Sequence, residues 1–127
     1  MEGGVMAKIE VRSFDAPDEH REIPNGGLDT VRFGSSTFGR SVFQPGWRWS
    51  NDVKPIAQTD RCMLRHAGLI MSGSLGVQDE DGNEMTVSAG DVVLIEPGHD
   101  AWVVGDEAVV MVDFGEDVEE YAKPPTS

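Results

Sequence analysis

Three side chains in this sequence have the chemistry of a soft-metal site: the single cysteine, Cys62, and two of the three histidines, His66 and His99. Zinc, iron, nickel and copper accept thiolate and imidazole, and a set of three such donors leaves a coordination position open. The cofactor this set implies is a divalent transition metal, drawn from Zn, Fe, Ni, Mn or Cu. On an extended strand, residues 60, 62, 64 and 66 share a face, so Asp60, Cys62 and His66 would all point to one side. Plainer readings stand beside this one: Cys62 as a small residue buried for packing, and His66 and His99 as histidines satisfying a hydrogen-bond partner. A third reading needs no metal and uses His66, with an ordinary pKa near ~6.5, as an acid or base toward a bound ligand. His20 lies in a charged stretch and is given no role.

Around these donors stand residues suited to holding a small molecule. Trp47, Trp49 and Trp102 are large rings that could line a pocket or bury at a dimer interface. Arg48, Lys54, Arg61 and Arg65 place four of the ten basic residues between positions 48 and 65. That cluster suits an anionic ligand, or else pairs with surplus surface carboxylates. The candidate ligand-binding set is therefore Trp49, Lys54, His66, His99 and Trp102. The carboxylates Asp113, Glu116, Asp117, Glu119 and Glu120 have no ligand-like spacing and read as solvated surface.

The elements that must position these groups are strands. Fifteen glycines and seven prolines in 127 residues leave little uninterrupted length for helices. Ile9 and Val11 alternate with charged residues in AKIEVRSF, as do Val31 and Phe33 in TVRFGS, which reads as two early strands joined by the polar loop Asp15 to Gly27. TFGRSVFQ, MLRHAGLIMSG, SLGVQ, EMTVS, DVVLI, AWVV and AVVMVDF follow as further strands. Gly82 can take a positive φ and close a hairpin between SLGVQ and EMTVS. So many short strands in one small domain imply a sandwich or barrel, which protects the edges. The tail from Gly115, with the apolar pair Val118 and Tyr121, predicts one helical turn followed by disorder.

From Gly90 the segment GDVVLIEPGHDAW resembles the second motif of the cupins, in which two glycines frame a turn that leads to a ligand histidine. Gly90 and Gly98 match, Glu96 stands at the motif's proline, and Ala101 stands at the histidine. Gly46 in FQPGWRW and Gly73 in HAGLIMSG resemble the glycines that bound the first motif. Counted back from Gly73, the ligand positions fall on Asp60, Cys62 and His66; counted forward from Gly46, they fall on Asp52 and Lys54. The segment VKPIAQTD therefore reads as an insertion. The resemblance spans roughly residues 36 to 115 and implies an all-β, double-stranded β-helix, a jelly-roll barrel of about ten strands. It also implies a homodimer formed through N-terminal strands.

The resulting organisation is N-terminal strands and a loop over 1–35, suited to dimerisation, a barrel over 36–115, and an acidic, largely disordered tail over 116–127. A net charge of −13 disfavours nucleic acid as a partner. The absence of a long apolar run argues against a membrane span and makes the cytoplasm the expected location. One cysteine cannot form an internal disulfide. P-loop, nucleophile-elbow, dithiol and zincin signatures are missing. The expected function is binding or sensing of a small anionic or aromatic metabolite inside the barrel. The alternative is an enzyme, either a metal-dependent oxygenase or isomerase, or a metal-free acid–base catalyst built on His66.

Overall fold

The computed structural model describes residues 8–124. Within them the chain forms two antiparallel sheets facing one another. The strands are β1 (Glu19–Ile23), β2 (Gly26–Phe33), β3 (Ser36–Phe43), β4 (His66–Ser72), β5 (Ser74–Gln78), β6 (Glu84–Ser88), β7 (Val92–Ile95), β8 (Asp100–Val104) and β9 (Val109–Asp113). The larger sheet runs β1-β2-β3-β9-β4-β7 and the smaller β6-β5-β8. Two short helices, α1 (Trp49–Asp52) and α2 (Lys54–Ala57), connect β3 to β4 within the larger sheet, with α1 packed against β8, and a 3-10 turn covers Val118–Glu120.

Period-two alternation decides which side chains enter the barrel. In β9, Val109, Met111 and Asp113 are buried; in β3, Gly39, Ser41 and Phe43 are. Leu75 of β5 and Ala101 of β8 close the opposite wall, and Trp47 and Trp49 join the same core cluster. The expected hairpin joins β5 to β6: Gly82 has φ 88°, and Asp79 Oδ1 accepts from the backbone N–H groups of Asp81 and Asn83, both at 2.9 Å.

The N-terminal expectation is corrected. Residues 8–14 form no strand, and Ile9 and Val11 are exposed, while Ala7 lies outside the described residues. The first strand instead falls inside the supposed loop, where EHREI pairs with β2 from Glu19↔Thr30 to Ile23↔Gly26. Its inward positions are partly charged, which hid the alternation: Arg21 packs beside buried Ile23 and donates to the Tyr121 carbonyl. Trp47 and Trp49 do not share a strand, because Trp49 opens α1. MLRHAGLIMSG enters the sheet only at His66.

The tail is corrected as well. One helical turn is present, but Val118, Tyr121 and Ala122 are buried rather than solvated. Glu119 anchors this strap: its carboxylate accepts from Arg32 Nε at 2.7 Å, Arg32 Nη2 at 2.9 Å and Thr37 Oγ1 at 2.6 Å. Residues 125–127 lie outside the described residues. Among the described residues no helix is long and apolar enough to cross a membrane.

Candidate functional site

One end of the barrel brings Cys62, His66 and His99 together. Cys62 lies just before β4 and forms an isolated antiparallel bridge with His99, just before β8. The Cys62 N–H donates to the His99 carbonyl at 2.8 Å, and the Gly98 N–H donates to the Cys62 carbonyl at 2.8 Å. This pairing joins the two sheets and turns both side chains inward. His66, the first residue of β4, places its Nε2 3.6 Å from Cys62 Sγ, and its ring lies edge-on to that of His99 at 5.1 Å between centroids. One ligand atom from each of the three residues lies within 4.8 Å of the others.

Each imidazole has its second nitrogen committed. His66 Nδ1 donates to Asp113 Oδ2 at 2.7 Å, and Asp113 Oδ1 is held in turn by the N–H groups of Gly115 at 2.8 Å and Ala67 at 3.4 Å. His99 Nδ1 lies 2.7 Å from the Glu96 carbonyl, which can only accept, so this nitrogen carries a proton and Nε2 is the atom left for another partner. Outer partners of this kind fix tautomer and ring orientation in metal-ligating histidines.

The electrostatics follow from the same contacts. Burial pushes the Cys62 thiol up, but hydrogen bonds from His66 and His99 and their charges outweigh it and hold the thiol well below its ordinary value. Burial pushes His66 down, while Asp113 first and Cys62 second hold it well above the ordinary imidazole range. Both shifts run in the direction that favours charge on the sulfur and on the ring. Above Cys62 opens a cleft of about 300 Å³, walled by Trp49, Val53, Met63, Leu64, Tyr121 and Lys123.

Other sequence candidates lie elsewhere. Asp60 is fully exposed and pairs with Lys54 at 3.6 Å, because the chain from 60 to 66 is not one extended strand. Lys54 is thereby drawn away from the barrel interior. Trp102 lies on the outer face of β8, across Gly76, where a Cβ would fall 2.3 Å from the indole Nε1. The Arg48 guanidinium covers that ring at 4.6 Å and pairs with Asp100 at 3.3 Å. Arg61 donates to Gln78 and Arg65 pairs with Glu96, so the basic cluster is spent on local partners rather than on a pocket. Trp49 lines the cleft. The barrel interior itself is filled, with Phe43 stacked on Trp47 at 3.9 Å, and retains a cavity of about 30 Å³, too small for a metabolite.

Two participants escaped the sequence reading. Asp113, grouped there with surface carboxylates, is 6% exposed and orients His66. The signal was its parity: it continues the inward run of Val109 and Met111. Tyr121 packs on His66 at 5.9 Å, a contact between residues far apart in sequence that no local pattern announces.

No protein-family model and no curated protein matches the sequence. Solved structures do match. A protein of unknown function from Rhizobium leguminosarum superposes with a TM-score of 0.57 at 18% identity, covering 85% of this chain and 98% of that one. A Klebsiella pneumoniae protein with a double-stranded β-helix domain gives 0.56 at 19% identity, covering 84% and 88%. An RmlC-like cupin from Shewanella frigidimarina gives 0.52 at 14% identity, covering 75% and 81%. The chain has the fold of a small cupin domain, an antiparallel double-stranded β-helix.

Proposed function

We propose that this protein is a cupin holding one divalent transition metal ion on Cys62 Sγ and the Nε2 atoms of His66 and His99, and that a small molecule reaches this centre through the cleft over Cys62. The observation that carries the reading is the convergence of one cysteine sulfur and two imidazoles within 4.8 Å, each imidazole tethered through its other nitrogen. The donor set fits a borderline or soft ion such as zinc, iron, nickel or copper better than manganese, which favours oxygen ligands. Three protein ligands leave a position for an exchangeable one, where such an ion supplies Lewis acidity toward a bound oxygen. Asp113 keeps His66 oriented, the Glu96 carbonyl does the same for His99, and the Cys62–His99 bridge sets the spacing of the two chain segments. The cleft wall of Trp49, Val53, Met63 and Leu64 excludes water from one side and suits a ligand with an apolar or aromatic body.

The test is metal content by mass spectrometry on protein purified without a metal-affinity column, for wild type, Cys62→Ser and His66→Ala. One equivalent in wild type, lost in both variants, is expected. A second reading is favoured by the continuous chain Cys62–His66–Asp113, which makes His66 an acid–base group without any ion. Wild-type protein free of metal would overturn the first reading in favour of the second.

A further inference from the structure

Inside the barrel, next to the candidate centre, lies the cavity of about 30 Å³, bordered by Ser41, Trp47, Trp49, His66, Asp113 and Tyr121 among others. Two of these side chains carry buried polar atoms without a hydrogen-bond partner: Trp47 Nε1 and Tyr121 Oη. Trp47 is 2% exposed and Tyr121 6%. Buried polar groups are paired in the great majority of cases, so two orphans bordering one cavity call for a shared partner. An indole N–H only donates, and a phenol offers its O–H, so that partner is an acceptor. A volume of about 30 Å³ is one water's share of the liquid, which limits the occupant to roughly one or two non-hydrogen atoms. A phenol is protonated at neutral pH and serves as a donor, and the Asp113 carboxylate on the same cavity wall opposes an anion.

We propose that this cavity is a binding site for one neutral oxygen, from water or from the hydroxyl or carbonyl end of a small molecule, which accepts hydrogen bonds from Trp47 Nε1 and Tyr121 Oη. The site does not depend on a metal ion. Tyr121 and Trp49 border the outer cleft as well, so these two side chains stand between the two spaces. An oxygen bound here ties the C-terminal strap to the barrel interior and lies against the His66–Asp113 pair.

The deciding experiment is a high-resolution crystal structure of the wild type, with and without methanol, together with Tyr121→Phe and the metal content of the same crystals. Density for one oxygen within about 2.7–3.2 Å of both donors is expected. It should be lost in Tyr121→Phe, and the Trp47 indole N–H resonance should shift in that variant. Methanol density marks a site open to a substrate oxygen, and water alone marks a permanently held one; either supports the site. An empty wild-type cavity, or the same oxygen undisturbed in Tyr121→Phe, overturns it. Should the variant not fold, the wild-type density still decides. Metal-free crystals that keep the oxygen would refute the metal reading and leave this one standing.

Discussion

Two histidine–carboxylate pairs of almost equal length sit in this molecule and do different things. His20 Nδ1 lies 2.6 Å from Asp29 Oδ1 on the outer face of β1 and β2, with its side chain 47% exposed. His66 Nδ1 lies 2.7 Å from Asp113 Oδ2 inside the barrel, with the two side chains 12% and 9% exposed. The distance does not separate them; the surroundings do. His20 has both ring nitrogens on carboxylates, the second on Glu22 at 2.7 Å, and water screens His20 and Glu22. His66 has one nitrogen on a carboxylate that backbone N–H groups hold still, and the other on a thiol, in a region where charge is poorly screened. Only the second arrangement leaves an oriented donor atom facing two others.

The largest contrast is expected in metal content. Cys62→Ser and His66→Ala should each lose the bound equivalent, while His20→Ala keeps it, as mass spectrometry of the three proteins would show. Loss in His20→Ala would erase the distinction. Next, Asp113→Asn should weaken metal affinity about 10–100-fold, the usual effect of removing an outer partner, whereas Asp29→Asn leaves it unchanged. A competitive chelator titration reads both.

A smaller effect concerns the strap that closes the site. Arg32 first and Thr37 second hold the Glu119 carboxyl down to about 2. Its contribution to stability is therefore fully present above the ordinary carboxylate value and is lost as pH falls through about 2. Glu119→Gln should abolish that acid limb in unfolding curves followed by tryptophan fluorescence. The smallest effect belongs to His20, which Glu22 first and Asp29 second raise above the ordinary imidazole value of 6.5. Its contribution is present below 6.5 and fades as pH rises through the folded value. An NMR titration should show the shift shrinking in high salt, since the group is exposed. A salt-insensitive value would mean that the outer pair is not the screened one.

Much of this arrangement was legible in the residues. The strands from β3 onward, the Gly82 hairpin and the donors Cys62, His66 and His99 follow from alternation, turn chemistry and ligand type. The donors come together for a reason sequence spacing did not give: Cys62 and His66 meet across a bend, and the partner of Cys62 is the strand leading to His99. Lys54 and Trp102 lie away from the cleft, because α2 carries Lys54 toward Asp60 and the parity of β8 turns Trp102 outward. The strand at Glu19–Ile23 was missed because Arg21 occupies an inward position, where its guanidinium meets a chain end that sequence proximity does not reveal.

The strap has a consequence for how the molecule comes into being. Cys62 and His66 are neighbours in sequence, but Asp113 joins them from 47 residues further on, and Tyr121 closes over them later still. A nascent chain emerging from the ribosome cannot complete this end of the barrel until the segment that carries Asp113 and Tyr121 is free, because domains fold as units and contacts of long sequence separation form late. Whatever the site captures is thus captured only once this segment is free to pack, and a ribosome stalled before Tyr121 would display the thiol of Cys62 uncovered to its surroundings.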